Sequence, residues 1–166
     1  MKIRRERAED RPEILALVEA AFPESGEAKL LRELFAAREY LPELSLVAEA
    51  RGELLGHVIT TRAWIGKSGS LGLGPIAVLP EHQNQGVGSA LMRATIAAAN
   101  TLGEPSIVLL GSTDYYPRFG FAPADSLGII SPDPSWGSHF MALALDSFVP
   151  GAHGHFAYSE PFTAHR

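Results

Sequence analysis

The chain of 166 residues contains no cysteine. Without thiols it cannot form disulfides, use a cysteine nucleophile or bind zinc through cysteine ligands. The sequence also lacks a long apolar run, and its first ten residues, MKIRRERAED, are too charged to form a signal peptide. These absences exclude a disulfide framework and lead us to expect a cytoplasmic protein.

The chain also has no excess of basic residues, and its formal net charge is −5 at pH 7. This charge argues against nucleic acid or an anionic membrane surface as a general partner. The basic run from Lys2 to Arg7 is local, and we interpret it as part of a solvated first strand. Since 46% of the residues are hydrophobic, the chain can bury a sizeable core, and we expect residues 1–166 to form one domain.

Apolar periodicity predicts the order of elements in the first part of the chain. A short strand near Ile3 precedes a helix, at whose start Asp10 and Glu13 have the spacing of a capping box. A second helix follows, and its buried side is predicted to carry Leu30, Leu31, Leu34 and Phe35. Two strands are then predicted as a hairpin, at Leu44 to Ala50 and Leu54 to Trp64.

The most informative stretch is LGPIAVLPEHQNQGVGSALM. Ile76 to Leu79 form a predicted strand that Pro80 ends. The pattern Q-x-x-G-x-G, made by Gln83, Gly86 and Gly88, then falls where the next helix must begin. Amides at a helix start lack partners and carry partial positive charge, so they can hold a pyrophosphate without a basic side chain. Glycine lets the ligand approach the backbone closely, and the stretch therefore predicts a phosphate-binding turn.

Two other nucleotide-binding patterns fit less well. A dinucleotide-binding fingerprint needs a third small residue where Leu91 stands. The GKS at Gly66 to Ser68 lacks the leading glycine of a P-loop, because that position holds Thr61. We interpret this GKS as a turn between strands. An ordinary helix-entry loop is the remaining alternative for Gly86 and Gly88.

The helix after the glycine turn and the strand beyond it complete a strand, helix and strand unit. The buried side of this helix is predicted to hold Val87, Ala90, Leu91, Ala94 and Ala98. With a buried strand at Ile107 to Leu110, the unit implies a parallel strand pair joined by a right-handed crossover. Further on, we predict a short helix at Tyr115 to Phe119, a surface loop at Pro123 to Gly137 and a strand at Phe140 to Leu145. The segment after Pro150 remains unassigned.

Together with the fragment YYPRFGF, from Tyr115 to Phe121, the glycine motif resembles the GNAT N-acetyltransferase superfamily, and most of all a branch of small bacterial acetyltransferases. The resemblance covers Met1 to Leu145. It implies an α/β fold with a mixed, largely antiparallel sheet that is flanked by helices and splayed at a central parallel strand pair.

The resemblance also implies where acetyl-CoA binds as acetyl donor. Main-chain groups of Ile76 and Val78 would pair with its pantetheine arm, and Gln83 belongs to the motif that surrounds its phosphates. Its pyrophosphate would be held by the amides of Gln85, Gly86, Val87, Gly88 and Ser89. The YPRFGF ending would place Tyr116 near the thioester sulfur.

Acetyl transfer to an amine needs a deprotonated amine and a proton for the departing thiolate, but no covalent nucleophile. A tyrosine titrates at about 10 and a thiol at about 8.5, so a tyrosine can stay protonated and share its proton with the sulfur. Tyr116 is therefore the predicted general acid, although the neighbouring Tyr115 is an open alternative and a packing role is another.

The general base is harder to find, because Leu71 to Leu79 contains neither carboxylate nor histidine, unlike family members with a glutamate there. We predict that Glu27, which opens the second helix, faces the acceptor cleft and acts through water. A favourable charge at a helix N-terminus is the alternative role for Glu27. Glu81 and His82 are expected to face solvent, and Asp114 to cap the short helix.

The remaining candidates concern metals and the acceptor. No carboxylate or cysteine cluster supports a metal at His139, His153 and His155, so none is predicted. Arg118 either touches a CoA phosphate or covers the short helix. Four aromatic residues are expected in the core or in an acceptor pocket: Trp64, Trp136, Phe140 and Phe156.

The predicted reaction is transfer of an acetyl group from acetyl-CoA to a primary amine by direct attack on the thioester. A small amine, an amino-acid derivative, an antibiotic or a protein lysine fits equally as acceptor, and a homodimer is among the assemblies left open. The competing interpretation is a noncatalytic acyl-CoA-binding or regulatory module, which would keep the glycine motif but need neither Tyr116 nor a base.

Overall fold

The computed structural model describes residues 1–163. Its strands are β1 (Lys2–Arg5), β2 (Ser45–Ala50), β3 (Glu53–Ile65), β4 (Ser68–Val78), β5 (Ser106–Leu110), β6 (Ala122–Pro123), β7 (Ile129–Ile130), β8 (Phe140–Ala144) and β9 (Gly154–Ala157). Its α-helices are α1 (Arg11–Ala21), α2 (Glu27–Ala36), α3 (Val87–Thr101) and α4 (Glu160–Thr163). None of the described helices has the length and apolar character needed to cross a membrane.

The strands form one mixed sheet in the order β1-β2-β3-β4-β5-β8-β6. Neighbours along this path are antiparallel except β4 and β5, which are parallel, as the strand, helix and strand unit predicts. The parallel pairing joins Leu71 to Ile107 and Gly72 to Val108, although β4 continues to Val78. The two strands therefore diverge beyond Gly72, and the predicted splayed, largely antiparallel fold is confirmed.

Helices cover both faces of the sheet. Packed against one face are α1 and α2, whose buried residues Ile14, Leu31 and Leu34 meet strand residues such as Ile59. The other face carries α3. Its fully buried side consists of Val87, Leu91, Met92, Thr95 and Ala99, a stripe rotated from the predicted one because Ala90, Ala94 and Ala98 are only half-buried.

A buried histidine lies in the central strand β3. His57 is fully buried, and its Nε2 lies 3.0 Å from the Ser45 Oγ on β2. Burial lowers the pKa of His57 to about 3 from its ordinary value of 6.5, so the ring is neutral in the folded protein. The side chain is a core group and not part of a cleft.

The predicted capping box at the start of α1 is wrong. The Asp10 carboxylate accepts hydrogen bonds from the Arg7 amide and the Arg4 guanidinium, and it makes no capping bond to α1. The Glu13 carboxylate reaches across to the Leu54 amide at 2.9 Å. Asp10 thus bonds to the chain just before the helix, and Glu13 ties the helix to β3, because these partners compete successfully for the two carboxylates.

The segment predicted as a surface loop, from Pro123 to Gly137, contains regular structure. Short 3-10 helices at Ala124–Leu127 and Pro134–His139 flank β7, which pairs in parallel with β9. In turn, β9 pairs with the end of β3. The C-terminal part of the chain is therefore folded back onto the sheet. The amino-acid composition of this part does not indicate such packing.

Candidate active site

The glycine motif forms the entrance of α3, as predicted. After β4 a short 3-10 helix and an extended Gln83 lead to Gly86, the N-cap residue of α3. The first bond of the helical ladder runs from the Ala90 amide to the Gly86 carbonyl. Three amides, those of Val87, Gly88 and Ser89, therefore precede the ladder and form the positive end of a 15-residue helix.

Glycine is present at positions 86 and 88 for different structural reasons. Gly86 has φ +86°, a left-handed conformation that residues with a Cβ adopt only under strain, and its missing side chain would meet open space. Gly88 is helical. A Cβ on Gly88 would lie 3.4 Å from the Tyr115 Oη and 3.8 Å from a Val78 methyl, both ordinary contacts. The protein itself therefore tolerates a methyl group at Gly88, and the space it would fill is next to the helix entrance.

The glutamine side chains of the motif brace the turn. Gln83 Nε2 donates to the Val78 carbonyl at 3.2 Å, and Gln85 Nε2 donates to the Glu81 carbonyl at 3.3 Å. Both bonds connect the turn back to the chain that precedes it. The side chains thus fix the loop, and the groups that the loop presents at the helix entrance are main-chain amides.

The last part of β4 has one unpaired edge. The Leu79 amide bonds to the Leu55 carbonyl of β3, and main-chain groups of successive strand residues point to opposite edges. Ile76 and Val78 therefore direct their main-chain groups away from β3, towards the gap where β4 and β5 diverge. These are the two residues predicted to pair with an extended ligand, and the Val78 carbonyl already accepts the Gln83 bond.

The two adjacent tyrosines occupy separate places. Tyr115 Oη lies 3.1 Å from Ser89 Oγ at the entrance of α3, and the Arg118 guanidinium lies 4.5 Å from the Tyr115 ring centre. Tyr116 lies in the cavity between the diverging strands. Its ring packs so closely on Gly111 that a Cβ there would overlap it, and it also contacts Phe121 edge-on. Of the two tyrosines between which the sequence does not decide, Tyr116 lines the cavity and Tyr115 lies at the entrance of α3.

A cavity of about 500 Å³ lies where β4 and β5 diverge. It brings together residues from five parts of the chain, including Glu27 at the start of α2, Ile76 on β4 and Tyr116. The complete described lining is Phe22, Ser25, Gly26, Glu27, Leu30, Leu73, Gly74, Pro75, Ile76, Leu109, Leu110, Tyr116, Trp136, Tyr158 and Phe162. The two predicted catalytic side chains therefore share one cavity.

Burial sets the protonation of Tyr116. Its surroundings raise the pKa of the phenol above the ordinary value of about 10, mainly because burial disfavours the phenolate. The hydroxyl consequently keeps its proton throughout the neutral range. A group in this state can donate a proton to a basic atom that appears next to it.

Other sequence candidates lie outside this arrangement. His82 Nε2 is 3.5 Å from a Glu53 carboxylate oxygen, and Glu81 is exposed. Asp114 makes no side-chain cap for the short helix at Tyr116–Phe119, because Tyr115 occupies its N-cap position; the Asp114 amide donates to the Ser112 hydroxyl. The expectation that Asp114 caps this helix is therefore wrong. Arg118 donates its Nε–H to the Tyr115 carbonyl and covers the helix.

The histidines and aromatic residues divide between several sites. Within residues 1–163, no group of three or more His, Cys, Asp or Glu side chains could hold a metal ion. Of the four aromatic candidates, Trp136 lines the cavity, Phe140 and Phe156 are buried in the core, and Trp64 is 46% exposed. Phe140 and Phe156 are thus core residues.

Sequence reasoning missed the far wall of the cavity. Tyr158 and Phe162 come from the C-terminal segment, and Leu110 precedes the YYPRFGF fragment. Tyr158 and Phe162 reach the cavity only because β9 pairs with β3 and turns the chain back over the sheet. No local motif marks them. The one available signal was the cluster of aromatic residues in the sequence HFAYSEPF.

The comparisons with known proteins agree with this geometry. The model of the acetyltransferase (GNAT) family matches residues 11–121. An uncharacterised N-acetyltransferase of Escherichia coli, YjhQ, is 33% identical over 162 residues, which cover 92% of this chain and 88% of YjhQ. A second, YhbS, is 30% identical over an alignment of 172 positions that covers 98% of both chains. The chain therefore belongs to the GNAT acetyltransferase family, and the predicted class of enzyme, an acyltransferase with acetyl-CoA as donor, is confirmed.

Solved structures of similar proteins match nearly the whole chain. A GNAT family acetyltransferase from Brucella melitensis, solved with acetyl-CoA, is 35% identical with a TM-score of 0.79, and 97% of each chain is covered. YhbS from E. coli, solved with CoA, has a TM-score of 0.89 at 28% identity, covering 98% of this chain and 91% of its own. The fold is thus shared with proteins that bind the CoA moiety.

Proposed function

We propose that the chain is a single acetyl-CoA-binding domain over residues 1–166 that transfers the acetyl group to a primary amine by direct attack on the thioester. The observation that carries this proposal is the cavity at the divergence of β4 and β5. Tyr116, whose phenol keeps its proton, and Glu27 both line this cavity. An acid candidate and a base candidate therefore share one cavity.

The residues around the cavity fit a CoA molecule. At one end, the amides of Gly86, Val87, Gly88 and Ser89 surround a helix entrance where neither glycine fills space with a side chain. Between this entrance and the cavity, Ile76 and Val78 turn main-chain groups to the unpaired edge of β4. An extended pantetheine arm can therefore lie along β4 with the pyrophosphate at α3 and the sulfur in the cavity. The neighbours solved with acetyl-CoA and CoA support this placement.

Acetyl-CoA supplies an activated acetyl group as a thioester. When the amine nitrogen forms its bond to the acetyl carbon, the carbon–sulfur bond breaks and the sulfur leaves with the electron pair. The Tyr116 hydroxyl gives its proton to this sulfur, since burial holds that proton on the phenol through the neutral range. The phenolate then regains a proton from solvent.

The acceptor must lose a proton before or during attack. Glu27 is half-buried at the first position of α2 and lines the cavity. Its carboxylate can take this proton through a water molecule and pass it to solvent, because Glu27 is only half-buried.

A matched pair of tyrosine variants tests this function. Tyr116→Phe keeps the ring that packs on Gly111 and removes only the hydroxyl, so the fold and CoA affinity should stay near those of the parent. Thiol release with an accepted amine should fall about a hundredfold to ten-thousandfold if chemistry limits the rate. Tyr115→Phe is the control and should change kcat much less.

The two variants also separate the proposal from its alternative. An unchanged kcat for Tyr116→Phe under chemistry-limited conditions would remove this residue from catalysis. Tight CoA binding without amine-dependent thiol release from the parent protein would favour the noncatalytic acyl-CoA-binding or regulatory module.

A further inference from the structure

An exposed histidine, His139, lies just before β8 and next to the end of β5. The last paired residues of these two strands are Leu110 and Phe140. One residue further on, the Gly111 amide donates to the His139 carbonyl at 2.9 Å. The imidazole Nδ1 also lies 2.9 Å from the Gly111 carbonyl oxygen. His139 is therefore bound to Gly111 by both its main chain and its ring.

The second of these bonds determines which nitrogen of the ring can accept a proton. A carbonyl oxygen only accepts hydrogen bonds, so Nδ1 of the neutral imidazole carries the hydrogen and donates it to Gly111. Nε2 then keeps its lone pair, and it has no hydrogen-bond partner among residues 1–163. The imidazole of His139 is thus held in the state in which it can act as a base.

The imidazole borders a second, smaller cavity next to the candidate active site. This cavity has a volume of about 340 Å³, and its wall is formed by Leu110, Gly111, Ser135, Trp136 and His139. Two of these residues, Leu110 and Trp136, also line the larger cavity between β4 and β5. The two cavities therefore adjoin at these two side chains.

The surroundings of His139 also hold the predicted general acid. The Tyr116 ring packs so closely on Gly111 that a Cβ there would overlap it. The segment that carries His139 is fixed as well, because the Asp133 carboxylate accepts hydrogen bonds from the Ser135 amide and hydroxyl at 2.9 and 2.7 Å. The acid candidate and the imidazole are therefore both placed by contacts with Gly111.

From this arrangement we infer that His139 is a base of the proposed reaction, whose Nε2 takes the proton of the acceptor amine through a water molecule. The inference rests on the proposed function and adds a residue to it. The amine nitrogen bonds to the acetyl carbon and gives its proton to the imidazole, and the exposed imidazolium releases this proton to solvent. The sulfur leaves with the electron pair and receives its own proton from Tyr116.

His139 and Glu27 then act in different pH ranges. Histidine side chains change charge between pH 5 and 8, and a neutral imidazole is a stronger base than a carboxylate. The imidazole is therefore the better base above neutral pH, and Glu27 remains as the base at low pH. Among the described residues, the wall of the smaller cavity has no other titratable side chain. On the neighbouring elements, Tyr116 stays neutral in this range and the Asp133 carboxylate bonds to Ser135.

Replacing His139 with asparagine tests the inference. The side-chain amide in His139→Asn can replace Nδ1 as donor to Gly111, but nothing in this variant replaces Nε2. The assay is thiol release at saturating acetyl-CoA with the fastest of three probes: 2-phenylethylamine, putrescine and a lysine-containing peptide. We expect the kcat/KM of the parent for this amine to exceed that of the variant about tenfold or more near pH 8. The two values should converge towards pH 5, because a protonated imidazole accepts no proton.

His153→Asn is the matched control. His153 also holds its Nδ1 close to a main-chain carbonyl, that of Gly151 at 2.6 Å, but it lines neither of the two cavities. This variant should have the pH profile of the parent. Equal activity of His139→Asn and the parent at every pH would overturn the inference. A loss of the same size at every pH would also overturn it, because it would indicate that His139 only supports Gly111.

The same assay separates failure of the inference from failure of the proposed function. If the parent acetylates one of the amines and His139→Asn has the same pH profile, only the role of His139 is wrong. If none of the three amines gives thiol release from the parent while calorimetry shows CoA binding, the proposed transfer reaction is wrong, and the base role fails with it.

Discussion

The two glycines at the entrance of α3 allow one prediction to be worked out in detail. Gly88→Ala adds a methyl group that meets only ordinary contacts, at 3.4 and 3.8 Å. Since Ala is a better helix former than Gly, the free energy of unfolding should stay equal or rise by up to about 1 kcal/mol. Gly86→Ala instead forces a Cβ into a left-handed conformation at φ +86°. It should lower the free energy of unfolding by about 1–2 kcal/mol.

The affinity for CoA, unlike the stability, should decrease in Gly88→Ala. If the pyrophosphate lies on the amides next to Gly88, the added methyl pushes it away from at least one donor. Losing one hydrogen bond to a charged group costs about 1.5–3 kcal/mol, which corresponds to a roughly 10- to 150-fold rise in the Kd for CoA. Gly88→Ala should therefore be a folded protein of normal or increased stability with weakened CoA binding.

Two measurements on the same samples check this reasoning. Urea unfolding gives the stability, and calorimetric titration with CoA gives the Kd. A Gly88→Ala protein that is as stable as the parent and binds CoA equally well would refute the phosphate site at this helix entrance. Gly86→Ala serves as the matched control, because its defect should appear in stability even without ligand.

The remaining predictions concern two titratable groups. Glu27→Gln should lower turnover most at low pH, where the acceptor amine is protonated and needs a group that removes its proton. A pH–rate profile identical to the parent's would mean that Glu27 only stabilises the start of α2. His57 titrates in the unfolded chain near 6.5 but in the folded protein only at about 3, so below pH 6.5 the unfolded state binds the extra proton. Stability should then fall by about 2 kcal/mol between pH 7.5 and 5.0. This part of the pH dependence, measured by urea unfolding, should disappear in His57→Gln, and an unaltered dependence would contradict it.

Local patterns were sufficient to predict the elements around the glycine motif, which we propose to hold the donor. The strand ending at Pro80, the glycines and the helix after them follow one another in sequence, so propensity and turn chemistry describe them directly. The divergence of β4 and β5 was implied by the family resemblance and is visible in the short parallel pairing at Leu71 and Gly72. The adjacent tyrosines could not be assigned from spacing, because their roles depend on which one turns towards α3.

The composition of the cavity wall could not be predicted in the same way. It combines Glu27 with Trp136, Tyr158 and Phe162, which come from three separate segments. Only the pairing of β9 with β3 brings the last two residues to the cavity. Such long-range partners leave no local record in one sequence. The capping box at Asp10 failed for a different reason, since two residues close in sequence, Arg4 and Arg7, take the carboxylate.

A crystal structure of the protein with CoA tests the central claim most directly. We expect the pyrophosphate within hydrogen-bond distance of main-chain amides between Gln85 and Ser89, and the pantetheine arm along Ile76 and Val78. The sulfur should lie in the cavity next to the Tyr116 hydroxyl. CoA bound elsewhere on the protein, or bound with its sulfur outside the reach of Tyr116, would contradict the proposed site and its mechanism.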